Sequence, residues 1–167
     1  MTATSQRFLG KFRGKVTDNT DLLFLGRIKA KVPAVLQEEE SGWALPSAPY
    51  GGSGVGFFFV PPVGANVWME FENGDPDYPI WTGCFWSPGE VPTTPGLAST
   101  KIIKTDMATI KLDDKPIKGD IITIETTTGL KIVMNALTGI EISNGAGKSI
   151  KMTPLSISVN DGALEIL

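Results

Sequence analysis

The sequence predicts an all-β protein, a small barrel followed by a ladder of short strands, and three observations carry that expectation. Nineteen glycines and twelve prolines are spread along 167 residues, and punctuation this dense favours many short strands over helices. A composition of 41% hydrophobic and 20% charged residues belongs to a folded globular chain. Apolar residues recur at period two, the spacing of a strand with one covered face. Only residues 35–41, VLQEEES, have the character of a helical turn.

In the first half, strands are expected at residues 10–16, 26–35, 56–60, 67–72 and 80–86, enough for a small barrel. Val67, Met69 and Phe71 alternate with Trp68, Glu70 and Glu72, so one face of that strand meets a core. The last strand is apolar on both faces, with Ile80, Cys84 and Trp86 against Trp81 and Phe85. Both of its sides should be covered, with Cys84 a buried small hydrophobe. Between the two strands lies NGDPDYP, in which Asp75 and Asp77 flank Pro76; Asx side chains and proline set turns.

Residues 87–99, SPGEVPTTPGLAS, read as a linker. After them pairs of aliphatics two apart recur: Ile110/Leu112, Ile122/Ile124, Leu130/Ile132, Ile140/Ile142, Ile150/Met152, Ile157/Val159 and Leu164/Ile166. The first members of successive pairs are 12, 8, 10, 10, 7 and 7 residues apart, with turns such as TTG, LTG, NGAG and NDG between them. This is an internal repeat of short strands. Each strand has one aliphatic face, and a single-layer ladder cannot bury it alone; other copies must cover it, as in stacked-repeat architectures. Obligate self-association through residues 101–167 is therefore expected.

The chain has no histidine and one cysteine. That removes Ser-His and Cys-His nucleophile pairs, an intrachain disulfide and, in practice, a structural zinc site. The carboxylate pairs are Asp75/Asp77 and Asp113/Asp114; a glycosidase needs two acids a fixed distance across a cleft, whereas Asp75 and Asp77 sit in a turn, so a carboxylate hydrolase is disfavoured. In NGAGKS (144–149), the glycine a phosphate loop needs five residues before Gly147 is replaced by Ile142, and no helix follows. GGSGVG (51–56) lacks the βαβ context of a dinucleotide loop. No metal and no cofactor are expected. The most apolar run, VGFFFVPPVG (55–64), is half of the ~20 residues a bilayer span needs. The N-terminus lacks the apolar core of a signal peptide, which implies cytosolic synthesis.

Net charge is −3 with a pI near 5.0, without the basic excess of a nucleic-acid binder. Yet all seven Lys and Arg of the first ninety residues fall between Arg7 and Lys31. Lys11, Arg13 and Lys15, and again Arg27, Lys29 and Lys31, run at period two and line one face of each strand. Phe12, Gly14 and Val16, like Ile28, Ala30 and Val32, point the other way. The basic stripe is thus expected to lack the aromatic platforms on which single-stranded bases stack, and to be a solvated or partner-docking face.

Several stretches in order resemble one family: GRIKAKVPAV (26–35), GFFFVPPVGANVWMEFENGDPDYPIWTGCFW (56–86), KIIKTDMATIKLDD (101–114), GLKIVMNALTGIEISNG (129–145) and NDGALEI (160–166). These are similar to the baseplate-assembly-V or VgrG-type central spike of contractile phage tails, type VI secretion and extracellular injection particles. The resemblance implies a flexible N-terminus at 1–7, an OB-fold collar at 8–86, the linker at 87–99 and a trimeric, intertwined β-helix needle at 100–167. It implies a non-enzymatic homotrimer, carried on a hub ring and driven through a target envelope on sheath contraction, so that target membrane is contacted only on firing. The needle core would comprise Ile110, Leu112, Ile122, Ile124, Leu130, Ile132, Ile140, Ile142, Ile150, Met152, Ile157 and Val159.

Departures from the family pattern shape the remaining expectations. The 87–99 segment is too short to hold the cell-wall hydrolase that some relatives insert there. The His-x-His iron tip of others has no counterpart, so Leu164, Ile166 and Leu167 are expected to dock a separate PAAR-type tip protein. The six basic residues would face the hub or baseplate ring. From another class, the runner-up is a monomeric OB-fold binder of single-stranded nucleic acid.

Overall fold

The computed structural model describes residues 6–115, 117 and 119–166; the side chains of Glu165 and Ile166, residues 1–5 of the expected flexible N-terminus, and Leu167 lie outside that description. Two compact units divide the chain, Met1–Glu90 and Val91–Leu167. The described residues are nearly all strand, turn and loop, with a single α-helical turn.

In the first unit β1 (Phe12–Asp18), β2 (Lys29–Lys31) and β3 (Leu45–Pro46) join a five-stranded sheet; β4 (Gly51–Gly52) and β5 (Val55–Gly56) form a minimal hairpin beside it in sequence. The sheet is completed by β6 (Asn66–Phe71) and β7 (Pro79–Phe85), in the order β2-β1-β6-β7-β3, antiparallel except where β3 meets β7. Alternation in β6 translates directly into burial, with Val67, Met69 and Phe71 inside. Val16, Ile28, Ala30, Val32, Ala44 and Trp81 complete the same core. The Trp81 indole N–H donates to the Gly26 carbonyl at 3.1 Å, so its polar atom is satisfied where its ring is buried.

Two expected strands are shortened. Residues 26–35 do not run as one strand: β2 ends at Lys31 and Pro33 opens a four-residue helical turn, α1 (Pro33–Leu36). Proline has no N–H for the ladder and its fixed φ suits a helix start. Of residues 56–60 only Gly56 is in a strand; Phe57, Phe58 and Phe59 lie outside any strand and are exposed. Pro61 and Pro62 follow, removing two ladder donors, and a run of three phenylalanines offers no alternation.

The NGDPDYP turn behaves as expected. A 3-10 turn (Glu72–Gly74) leads into an Asx turn in which the Asp77 N–H donates to Asp75 Oδ1 at 3.0 Å. The strand after it differs from expectation. Val67 is paired with Cys84 and Met69 with Trp81, so β7 carries one extra residue between them, a bulge around Thr82 and Gly83. Trp81 therefore stays inside while Phe85 moves to the outer face opposite Asn66. Trp86 is 62% exposed and Cys84 is exposed, so the far end of this strand is not covered on both sides within one chain.

The second unit is an eight-stranded antiparallel meander: β8 (Thr100–Lys104), β9 (Ala108–Asp113), β10 (Asp120–Thr126), β11 (Lys131–Asn135), β12 (Gly139–Ser143), β13 (Ser149–Met152), β14 (Ile157–Val159) and β15 (Leu164–Ile166), each paired with the next. Its turns are short and locally closed. In the NGAGKS turn the Asn144 side-chain oxygen accepts the N–H groups of Ala146 and Lys148, both at 2.9 Å; this is a hairpin connection, not a phosphate loop.

Candidate functional site

The register of the meander sorts its aliphatic residues into two columns on one face. Ile103, Ile110, Ile124, Ile132, Ile142, Ile150, Val159 and Leu164 are successive cross-strand partners in the first. Leu112, Ile122, Met134, Ile140, Met152, Ile157 and Ile166 are partners in the second. Leu130 precedes β11, where its carbonyl accepts the Thr126 N–H and closes the hairpin; the place in the second column belongs to Met134. A period-two sequence in strict register must stack its apolar side chains this way.

These columns are largely open. Ile110, Leu112, Ile124, Ile142, Ile150, Met152 and Ile157 are all exposed within the single chain, and Leu130, Ile132, Ile142, Ile150 and Val159 line an apolar trough. A run of contiguous exposed aliphatics on this scale marks an interaction face. The opposite face is polar and paired apart from Ile102 and the buried Val133: Lys131 with Glu125 at 3.9 Å, Lys151 with Glu141 at 3.9 Å and with Asp161 at 2.5 Å. Leu164 in the edge strand β15 is exposed.

The six basic residues of the stripe separate into three groups. Lys11 binds Glu70 and Thr82, both at 2.7 Å; Arg27 binds Asp21 at 2.6 Å; Lys29 binds Glu40 at 3.1 Å. Lys15 and Lys31 have no ion pair among the described residues and are direct cross-strand partners. Arg13 lies over Trp68 and Phe85, 5.8 and 5.4 Å from their ring centroids. The two rings are themselves 4.7 Å apart. Aromatics thus do share the basic face, contrary to the sequence-based expectation. Trp68 arrives there as the partner of Arg13, and Phe85 through the bulge in β7. Their faces are already occupied by a guanidinium, a cation–π contact rather than an open base platform.

Sequence reasoning missed Asp21. Its carboxylate is buried and accepts five hydrogen bonds: from the N–H of Leu23 (3.0 Å), Leu25 (2.8 Å) and Arg27 (3.3 Å), and from Arg27 Nε (3.1 Å) and Nη2 (2.6 Å). The Arg27 side chain first, with the backbone N–H groups behind it, holds this carboxyl well below the usual range despite burial. The available signal was an acid at the head of an apolar run, DLLFLGR, with an arginine at its end.

Asp113 is held below the ordinary carboxylate value, chiefly by the Lys115 N–H, the reverse of the raised pKa a general acid needs. Asp114 pairs with Lys101. Among the described residues no His, Cys, Asp and Glu cluster could hold a metal ion, and no helix is long and apolar enough to cross a membrane. Cys84 is exposed, yet the atoms packed around its thiol partly desolvate it and push it up, away from the thiolate a reactive cysteine requires.

A five-stranded OB-type sheet joined to a meander with an uncovered aliphatic face defines an all-β protein with an open association surface, and sequence comparisons place it. Residues 12–86 match the family described as the type VI secretion system/phage-baseplate injector OB domain, and residues 100–165 match the phage baseplate V C-terminal trimerisation domain. The chain belongs to the VgrG/baseplate V-type spike proteins. It is 34% identical over 87 residues to the actin cross-linking toxin VgrG1 of Vibrio cholerae serotype O1 (strain ATCC 39541 / Classical Ogawa 395 / O395), an alignment covering 48% of this chain and 8% of that protein. The first unit thus carries an injector OB domain of a baseplate family and the second a trimerisation domain.

Proposed function

We propose that the chain is the central spike of a contractile injection particle, a non-enzymatic homotrimer that pierces the target envelope when the sheath contracts. The observation that carries this reading is the pair of in-register aliphatic columns left open on one face of the meander. Three such faces turned toward a common axis would exclude water from all of them. Wrapped around one another as an intertwined β-helix, eight strands at about 4.7 Å spacing give a shaft on the order of 35 Å. Closed pairing makes such a shaft stiff, and the Lys, Glu and Thr of the other face keep it soluble.

In this reading residues 8–86 form the collar, 87–99 the linker and 100–167 the needle. Lys15, Lys31 and Arg13 form the centre of a face that docks an acidic hub or baseplate ring, because two lysines held directly opposite each other repel unless an anionic surface meets them. The apolar edge around Leu164 receives a PAAR-type tip. The chain is made in the bacterial cytoplasm, assembled into the particle and delivered outside the cell.

Sedimentation of the full chain at micromolar concentration tests the proposal: a trimer mass is expected. A monomer whose oligonucleotide affinity falls steeply with salt would return the nucleic-acid reading. Peptidoglycan cleavage abolished by Asp75→Asn or Asp77→Asn would overturn the non-enzymatic assignment.

A further inference from the structure

The first unit carries exposed apolar surface that neither its own core nor the ladder accounts for. Leu22, Leu23, Phe24 and Leu25 all point to solvent, Phe24 at 85% exposure. This knuckle is ordered rather than slack, because the buried Asp21 carboxylate ties down the N–H groups of Leu23, Leu25 and Arg27. A second loop lies against it: a Cβ at Gly26 would meet the Phe58 ring at 3.0 Å, and the Asn19 amide donates to the Pro61 carbonyl at 3.0 Å. Beyond Phe58, the rings of Phe57 and Phe59 are 6.3 Å apart, with Tyr50 6.1 Å from Phe57. Phe57 and Phe59 are 57% and 59% exposed.

At about 150 to 250 Å² for each aromatic side chain, the four phenylalanines Phe24, Phe57, Phe58 and Phe59, roughly two-thirds exposed on average, present about 400 to 700 Å², already as large as the biggest apolar patch of a typical monomer. A pre-ordered apolar loop loses little entropy on docking, which is what a permanent interface requires.

We infer that the knuckle at Leu22–Leu25 of one copy packs against the Phe57/Phe59 surface of the next, closing a ring of three first units. The inference rests on the trimer proposed above. Trimerisation through residues 100–165 holds three first units together, each joined through residues 86–99, a tether of roughly 50 Å at full extension. Tethering on that scale gives an effective concentration in the millimolar range. At that concentration, apolar surfaces of this size associate with one another before they meet any other partner. A three-fold ring needs two different patches on each copy, and the two loops supply them: the Leu22–Leu25 knuckle and the Tyr50, Phe57 and Phe59 ring cluster.

The test is cross-linking in the full-length trimer. Phe24→Cys is combined with Phe59→Cys in a Cys84→Ala background and treated with a short bismaleimide; Leu23→Cys with Phe57→Cys is the second pair. Covalent dimers and trimers are expected from the double variants, and uncross-linked chains from each single variant. Cross-linking by Phe24→Cys alone would place the knuckles against one another and overturn the pairing. A sedimenting trimer whose double variants yield only monomers, with every thiol open to a bulky maleimide, would show the patch facing outward and end the proposal. Binding of wild type to anionic vesicles that is lost in Phe24→Ser, without cross-linking, would assign the patch to lipid instead. If the chain sediments as a monomer, the spike reading itself fails, which is a separate outcome.

Discussion

Ile132 and Ile142 are direct cross-strand partners in β11 and β12, and each continues a single column that runs from Ile103 in β8 to Leu164 in β15. No polar residue interrupts that column. A face of this kind tolerates no charge if it is covered in the assembly, and tolerates one easily if it is not.

Ile142→Asp is therefore expected to abolish trimer formation while leaving the first unit folded. Burying a polar group without a partner costs about 2 to 7 kcal/mol, and a trimer would pay it three times at one level of the shaft. Lys131→Ala, on the paired polar face, should change stability by no more than about 0.5 kcal/mol. Sedimentation separates the two, and a trimeric Ile142→Asp would show that the columns point outward.

Gly139 opens β12 with φ near +95°, and a Cβ there would sit 2.0 Å from the Met152 carbonyl oxygen. Gly139→Ala should lower the unfolding midpoint of the second unit sharply, because the strained backbone alone costs about 1 to 3 kcal/mol and the β12–β13 register must also shift. Gly147→Ala meets open space at a similar φ and should show the backbone part only. Equal effects of the two substitutions, measured by thermal unfolding, would remove the close approach as the cause.

The aliphatic columns were legible because period two and short turns leave one register that keeps every aliphatic on the same face. The Asp75 turn was legible because proline and Asx chemistry is local. What escaped depended on non-local pairing. Gly83, a lone glycine with φ near +128° inside the strand, was the local signal of a bulge, but only the pairing with Val67 and Met69 shows that the extra residue moves Phe85 beneath Arg13. The phenylalanine run at 57–59 reads as strand by composition, and lies outside the sheet in a loop that ends at Pro61 and Pro62. Pro33, by contrast, was a visible stop signal within the expected strand at 26–35.

Asp21 should make the knuckle resistant to acid. Its folded carboxyl lies below the ordinary aspartate value, so its contribution is complete above the unfolded pKa of about 3.9. That contribution declines as pH falls below that value toward the lowered folded pKa, since the unfolded chain then binds the proton first. Thermal midpoints of wild type and Asp21→Asn should differ by a constant amount from pH 7 to about 5 and converge progressively below pH 4. The Asp21 carboxyl carbon should show no titration step near pH 3.9 in wild type. A step there would mean that the Arg27 pair does not hold in solution.

Lys15 and Lys31 should trade stability for docking. Directly opposed like charges on neighbouring strands are destabilising, by roughly 0.2 to 1 kcal/mol for a cross-strand pair, and neither lysine makes an ion pair among the described residues, the Glu40 carboxylate bridged beside Lys31 being bound to Lys29 instead. Lys31→Gln should therefore raise the unfolding midpoint of the first unit slightly. Incorporation into the baseplate should fall, because an acidic ring loses one of the cations that face it; Lys15→Gln should act in the same sense, and the pair together no more than additively in stability once the repulsion is gone. Lys11→Gln is the control, since Lys11 is already neutralised by Glu70 and its loss should lower stability rather than raise it. Co-sedimentation with assembled baseplates, at low and high salt, reads the docking half. Unchanged incorporation in the double variant would remove this face from the hub contact.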